Sequence, residues 1–363
     1  MDTSPTNYKK SGLARLIATN LAILGLLLVA IEGLASYGVV VRSIVTTRGI
    51  AERRHTRYDP VLGWSNEPNV FIRDMYGPGL YLRTNAQGFR NNQNISVTIP
   101  TGKVRIVCSG DSFTLGYGVD NDHTWCSLLS SLEPRFETVN MGQGGYGVDQ
   151  AYLWYKRDGA KFNHHVHLLA FITGDFSRMK YDSFLGYGKP VLDIEKGMLV
   201  VKNVPVPRRN YYFPWIQHLR QLHTVEFLNR VSRRIGLATV DSSQVAQTRD
   251  EQIREILHRM FEDLKSLNEQ RSSKLVLVYL PDLGAVTSDG PREWTKFLEE
   301  ESRSLSQFRS STSSLSFDCL PHEQVVQLFI SGDQSGIGHF NEAGNALVAK
   351  LIHQKLMTYP FVN

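Results

Sequence analysis

The stretch Val104-Arg105-Ile106-Val107-Cys108-Ser109-Gly110-Asp111-Ser112-Phe113 decides how this chain is read. Val104–Cys108 is a short apolar run of strand character, and Ser109-Gly110-Asp111 stops it with turn-forming residues. Ser112 is thereby expected just past a strand end, at the start of a helix. A similar pattern follows: Glu137–Asn140 reads as a strand, and Met141-Gly142-Gln143-Gly144-Gly145 comes directly after it. The Val166–Thr173 run suits a strand covered on both faces, and so does Lys274–Leu280, ended by Pro281. Helical periods lie between the strands, at His123–Leu132 and over 250–270, and Glu342–Leu356 closes the series. In 250–270, Ile253, Ile256, Leu257, Met260, Phe261, Leu264 and Leu267 share a face, with Thr248 or Asp250 as the expected cap. Strands alternating with helices predict an α/β fold with a mainly parallel, doubly covered sheet.

Composition fits a globular chain. Of 363 residues, 42% are hydrophobic and 21% charged, with a formal net charge of +5. The basic residues are dispersed, Arg208-Arg209 and Arg233-Arg234 being the densest spots, so no nucleic-acid stripe is expected. No zinc-finger spacing, phosphate loop or dinucleotide fingerprint is present, and no cofactor or metal is expected. Cys108, Cys126 and Cys319 are too few and too scattered for a disulfide framework, and read as buried thiols. His164-His165-Val166-His167 has no accompanying ligand pattern and reads as a strand start with exposed histidines.

Lys9, Lys10 and Arg15 precede an unbroken apolar run from Leu21 to Ile31, and small or apolar residues continue to Val41. The stretch 21–41 is long enough to span a bilayer. Gly33 and Ala35 suit a signal peptidase, but apolar residues persist beyond them, so an uncleaved membrane anchor is expected. Arginines at 42, 48, 53, 54 and 57 balance the basic tail, and charge alone leaves the orientation open. The organisation expected is a tail and anchor over 1–45, a connector and lead-in over 46–100, and a catalytic domain over 101–357. An aromatic and basic insertion occupies about 177–248 of that domain.

In an open parallel sheet, reactive groups collect beyond the carboxyl ends of the strands. Three loops fall there: Gly110–Phe113, Asn140–Gly145 and Gly338-His339-Phe340-Asn341, the last placing a histidine just before the final helix. In this order, and with this Asn-to-Gly spacing, they resemble the blocks of the SGNH (GDSL-type) hydrolase superfamily, over roughly residues 101–357. Tyr58-Asp59-Pro60, Gly63-Trp64 and Asn85–Arg90 also resemble the lead-in of membrane-anchored, exported members.

The resemblance implies a flavodoxin-like three-layer sandwich and serine ester hydrolysis, with the domain on the exported side. Ser112 would be the nucleophile and His339 its base, with the Ser112 and Gly145 backbone N–H groups in the oxyanion hole. The substrate implied is an acylated carbohydrate or lipid. Transfer of the acyl group to a cell-surface polysaccharide, or glycan binding by a catalytically weakened relative, are the alternatives.

Two blocks depart from the family pattern. Its Gly-Asn-Asp corresponds to Thr173-Gly174-Asp175, so Gly174 or Asp175 stands where the oxyanion-hole asparagine belongs, with Arg178 or Asn140 as substitute donors. The aspartate expected three residues before the histidine is Gly336. Asp333, with Asp318 behind it, is the candidate acid, and the other reading is a dyad whose imidazole is oriented by a backbone carbonyl.

Overall fold

The computed structural model describes residues 6–46, 54–184, 187–208, 242–287, 294, 296–298, 300–301, 313–314, 321–332 and 335–360. The chain divides into two compact units, 1–50 with 210–245, and 51–209 with 246–363.

The first unit contains α1 (Thr6–Thr46), one continuous helix. Its Gly12–Gly38 stretch is long and apolar enough to cross a membrane by length and composition. Glu32 accepts a hydrogen bond from Ser36 Oγ at 3.1 Å, one turn on. The helix takes in the basic tail residues Lys9, Lys10 and Arg15 and ends at Thr46, the first residue of the expected connector. No proline or glycine interrupts its last turn, and Ser43, Ile44, Val45 and Thr46 each cost a helix less than about 1 kcal/mol.

The second unit opens with two antiparallel ribbons. β1 (Thr56–Asp59) pairs with β2 (Gly63–Asn66), and β3 (Phe71–Ile72) with β4 (Leu82–Arg83). The main body follows: β5 (Val104–Gly110), α2 (Ser112–Leu115), α3 (Trp125–Leu132), β6 (Phe136–Gly142), α4 (Val148–Arg157) and β7 (Val166–Phe171). After α5 (Thr173–Arg178), the short strands β8 (Ser183–Phe184), β9 (Tyr187–Gly188), β10 (Val191–Glu195) and β11 (Met198–Lys202) form two hairpins in the expected insertion. Then come α6 (Ser242–Gln270), β12 (Lys274–Tyr279), α7 (Leu283–Thr287), β13 (Ser313–Ser314), α8 (His322–Val326) and α9 (Glu342–Leu356).

The five-stranded sheet runs β6-β5-β7-β12-β13, every pair parallel. Counted along the chain this is the order 2-1-3-4-5 of a flavodoxin-like sheet, whose switch point lies between β5 and β7. Side chains alternate across it. Ile106, Cys108, Val166, Leu168 and Val276 share one core with Trp125 and Leu129 of α3 and Val348 and Ile352 of α9. On the other face Phe171 stacks near Phe261 of α6, and Tyr155 of α4 lies flat on His167 of β7. Each such aliphatic or aromatic side chain, fully buried, contributes about 1.5–3 kcal/mol. Helices on both faces make the three-layer sandwich.

Details differ from the sequence expectation in two places. α6 begins at Ser242, so Thr248 and Asp250 lie inside it rather than capping it, and Asp250 forms an ion pair with Lys180. The histidines around the start of β7 are not exposed: His164 and His167 are buried and His165 is half-buried. His167 Nε2 meets Ser109 Oγ at 2.6 Å, and Tyr155 Oη meets His164 Nε2 at 2.9 Å and donates to Asn268 Oδ1 at 2.7 Å. These polar side chains satisfy one another inside the core, which is what allows their burial. Burial also holds His164 and His167 below the ordinary imidazole range, so both stay neutral. Cys108 and Cys126 are free and buried, while Cys319 lies outside the described residues.

Candidate active site

Because β5, β6 and β7 are parallel, the loops after them gather at one edge. Ser112 is the first residue of α2, directly beyond β5, and only 5% exposed. Asp111 caps this short helix, its Oδ1 accepting from Phe113 N at 2.9 Å. His339 precedes α9, whose N-cap Asn341 accepts from Gly344 N at 2.9 Å.

The two side chains, 227 residues apart, meet: His339 Nε2 lies 2.8 Å from Ser112 Oγ. His339 Nδ1 faces the Gly336 carbonyl oxygen at 3.1 Å. A carbonyl only accepts, so Nδ1 carries the proton and Nε2 presents its lone pair to the serine hydroxyl. The ring is held between Phe113 and Tyr117, with centroids 4.7 Å and 5.0 Å away. Burial lowers the His339 pKa and the Asp111 charge opposes the shift, so burial favours the neutral imidazole.

Gly336 explains why the acid is missing from its usual place. The residue sits at φ +94°, and a Cβ there would lie 3.1 Å from Gly118 Cα and from the Tyr117 ring. A side chain at Gly336 would be strained by the backbone and crowded, and among the described residues it is the Gly336 backbone oxygen that meets His339 Nδ1. Asp333 and Asp318 lie outside the described residues.

The second loop is fixed by its own side chains. Gln143 N donates to Gly110 O at 3.1 Å, and Asn140 uses both ends of its amide, Nδ2 on Thr114 O and Oδ1 under Gly142 N. Asn140 is thereby committed to holding α2 against β6 and is not available to a substrate. Gly145 takes φ +76°, and a Cβ on it would strike the Phe184 ring at 2.9 Å. Among the described residues, no acceptor is bonded to the N–H of Ser112 or of Gly145.

The third loop enters α5. Gly174 brings no side-chain donor, and Asp175 is turned inward, its Oδ2 accepting from Ile172 N at 3.1 Å. Burial, and then the neighbouring Asp111 carboxylate, push the Asp175 carboxyl well above the ordinary range. Arg178 Nη1 donates to Asp175 Oδ1 at 2.5 Å, Tyr146 O at 2.8 Å and Asp111 Oδ2 at 3.3 Å. The insertion is pinned here by a fully buried ion pair, Lys189 to Asp149, and Lys189 also donates to Arg178 O at 3.2 Å.

Two supports have roles that sequence reasoning did not assign. The Arg90 guanidinium, 2% exposed, donates to the carbonyls of Leu115, Gly116 and Val119, each at 2.6 Å, and to Asn121 Oδ1 at 2.9 Å. It grips the chain leaving α2. Trp64 Nε1 donates to Gly144 O at 3.0 Å, and Gln143 Nε2 to Asn66 Oδ1 at 2.8 Å, so the β1–β2 ribbon braces the second loop. Both lie in the lead-in motifs already noted in the sequence, which were the available signal.

The chain is similar in structure to GDSL-type lipolytic proteins. A member of the lipolytic G-D-S-L family from Veillonella parvula is 12% identical with a TM-score of 0.41, covering 70% of this chain and 100% of its own. The lipase/acylhydrolase from Enterococcus faecalis (14% identity, TM-score 0.38) covers 70% of this chain and 96% of its own. An acetyl xylan esterase (12% identity, TM-score 0.39) covers 70% and 100% respectively. No family model and no curated protein matches the chain.

One group elsewhere has metal-ligand types: Asp120, His123 and Glu342, with ligand atoms within 4.8 Å of one another. Asp120 Oδ1 already accepts from Asp122 N and His123 N, Nδ1 of His123 is bound to Asp120, and the Glu342 side chain is 56% exposed. This is a loop-stabilising cluster.

Proposed function

We propose that the chain is a serine ester hydrolase of the SGNH type, acting on an acylated carbohydrate or lipid. The observation that carries this reading is the Ser112–His339 contact at 2.8 Å, with the tautomer set by the Gly336 carbonyl. His339 takes the proton as Ser112 Oγ attacks the acyl carbon, and returns it to the leaving alcohol. The N–H groups of Ser112 and Gly145 face the oxygen on which negative charge develops, and the pair Ser112–His339 works as a dyad. A water molecule then releases the acyl group, or a sugar hydroxyl accepts it if the enzyme is a transferase. Residues 12–38 anchor the chain in a membrane with the catalytic body on the exported side, a reading supported by the resemblance of the lead-in to that of exported members. The bare Gly174 position favours one second reading, a weakened relative that binds glycan without turnover.

Labelling by a fluorophosphonate probe separates the two. Wild-type protein labels, while Ser112→Ala does not and His339→Ala labels at least a hundredfold more slowly. A folded wild type with no Ser112-dependent labelling refutes the hydrolase and leaves the binding protein.

A further inference from the structure

The active site lacks the amide that usually completes an oxyanion hole, yet it places a guanidinium beside the same loop. Arg178 lies one helical turn beyond Gly174 on α5, with a side chain 17% exposed. Among the described residues its side-chain hydrogen bonds all run through Nη1, to Tyr146 O, Asp175 Oδ1 and Asp111 Oδ2. Asp111 Oδ2 is itself 3.4 Å from Ser112 Oγ, and Tyr146 is the residue after Gly145. The guanidinium therefore stands within two hydrogen-bond lengths of the nucleophile. Its plane lies over the Phe184 ring, 5.0 Å to the centroid, and this is the ring that walls Gly145. Nη2 and Nε have no acceptor among the described residues.

We infer that Arg178 is the third oxyanion donor, its outer guanidinium edge replacing the absent amide. This rests on the hydrolase reading above. As Ser112 Oγ bonds to the acyl carbon, the carbonyl π pair moves onto oxygen and the hydroxyl proton moves to His339 Nε2. The oxyanion then takes N–H donors from Ser112, Gly145 and Arg178. When the pair returns, the ester C–O bond breaks and the leaving oxygen takes the proton from His339. Arg178 keeps its proton throughout. Asp111 and Asp175 hold Nη1 from behind, so the donor is fixed before the substrate arrives.

Arg178 also pairs with two buried carboxyl groups, so its loss alone does not separate catalysis from folding. Gly174→Asn does, because it leaves those pairs intact. A Cβ at Gly174 meets only the Ile172 side chain, at 3.3 Å, and that flexible side chain has to shift by a few tenths of an ångström to admit it. The assay is hydrolysis of p-nitrophenyl acetate by the full chain in detergent, with kcat and KM measured separately. Arg178→Gln lowers kcat by about 10²–10³-fold, the usual effect of losing one such donor, with KM within threefold. Adding Gly174→Asn to that variant restores at least tenfold, whereas Gly174→Asn alone raises wild-type kcat by less than threefold.

A rise of a hundredfold from Gly174→Asn alone shows that the hole lacked a donor and overturns the inference, even if Arg178→Gln does not fold. So does a folded Arg178→Gln with wild-type kcat, or a loss that Gly174→Asn fails to restore. A wild type with no Ser112-dependent hydrolysis or labelling defeats the hydrolase reading itself, which is a separate result.

Discussion

Replacing Arg90 by methionine tests whether the lead-in holds the proposed nucleophile, Ser112, in place. The guanidinium supplies the donors for three buried carbonyls at 2.6 Å, those of Leu115, Gly116 and Val119. Each carbonyl left unpartnered costs about 1–3 kcal/mol. Methionine no longer requires a charge to be desolvated, which offsets several kcal/mol of that sum. The net destabilisation expected is about 3 kcal/mol, or a fall of roughly 6–12 °C in Tm for a domain of this size. Gly116 N and Tyr117 N also donate to Ser112 O, both at 3.0 Å, so loosening this turn moves the nucleophile. A displacement near 1 Å is expected to slow Ser112 labelling by about 10²-fold. Melting followed by tryptophan fluorescence, with fluorophosphonate labelling well below the transition, measures both. A Tm within 2 °C of wild type together with labelling within threefold would refute the clamp.

Other expectations follow from the same geometry. Asp333→Asn retains turnover within about threefold, since the Gly336 carbonyl orients His339, and a loss on the order of the 10⁴-fold known for an essential triad aspartate would reinstate the carboxylate. The acid limb of kcat/KM has its midpoint below the ordinary imidazole value, because burial lowers His339. Asp111→Asn, which removes the charge opposing that shift, moves the midpoint lower still, and an upward move contradicts the argument. His55 is buried and held at about 4, against 6.5 when unfolded. Only the unfolded chain gains this proton as pH falls from 6.5 toward 4, so stability is lost across that window, by about 3 kcal/mol from this residue. Denaturant titrations at pH 7 and pH 4.5 measure the loss, which His55→Gln should largely remove. Lys189→Met leaves Asp149 buried without its partner and lowers stability by about 3–5 kcal/mol in the same titration.

The sheet and its covering helices were legible because their signals are local. Val104–Cys108 and Lys274–Leu280 carry strand composition in themselves, and Glu342–Leu356 is a helix with the bounds its period indicated. Ser112 and His339 were legible because each sits where an element begins, beside glycines that mark the loop. The orienting group was not, since a backbone carbonyl leaves no side-chain signature and Gly336 reads only as a departure from a pattern. Burial of His164 and His167 was equally hidden, because it depends on Tyr155 and on Asn268, about a hundred residues away. Arg90 and Trp64 showed as motif residues, but what they grip is set by contacts that only the folded chain makes.

The segment between the apolar helix and the first sheet strand has a practical consequence. Its tryptophan and arginine are wedged against the two loops that carry the proposed chemistry, so these residues act as a splint rather than a leash. A soluble version trimmed back to Val104 would preserve every main-sheet strand yet lose the brace, and its inactivity would be an artefact of the cut. Trimming just ahead of His55, whose ring is tied to Asn66, keeps the splint whole.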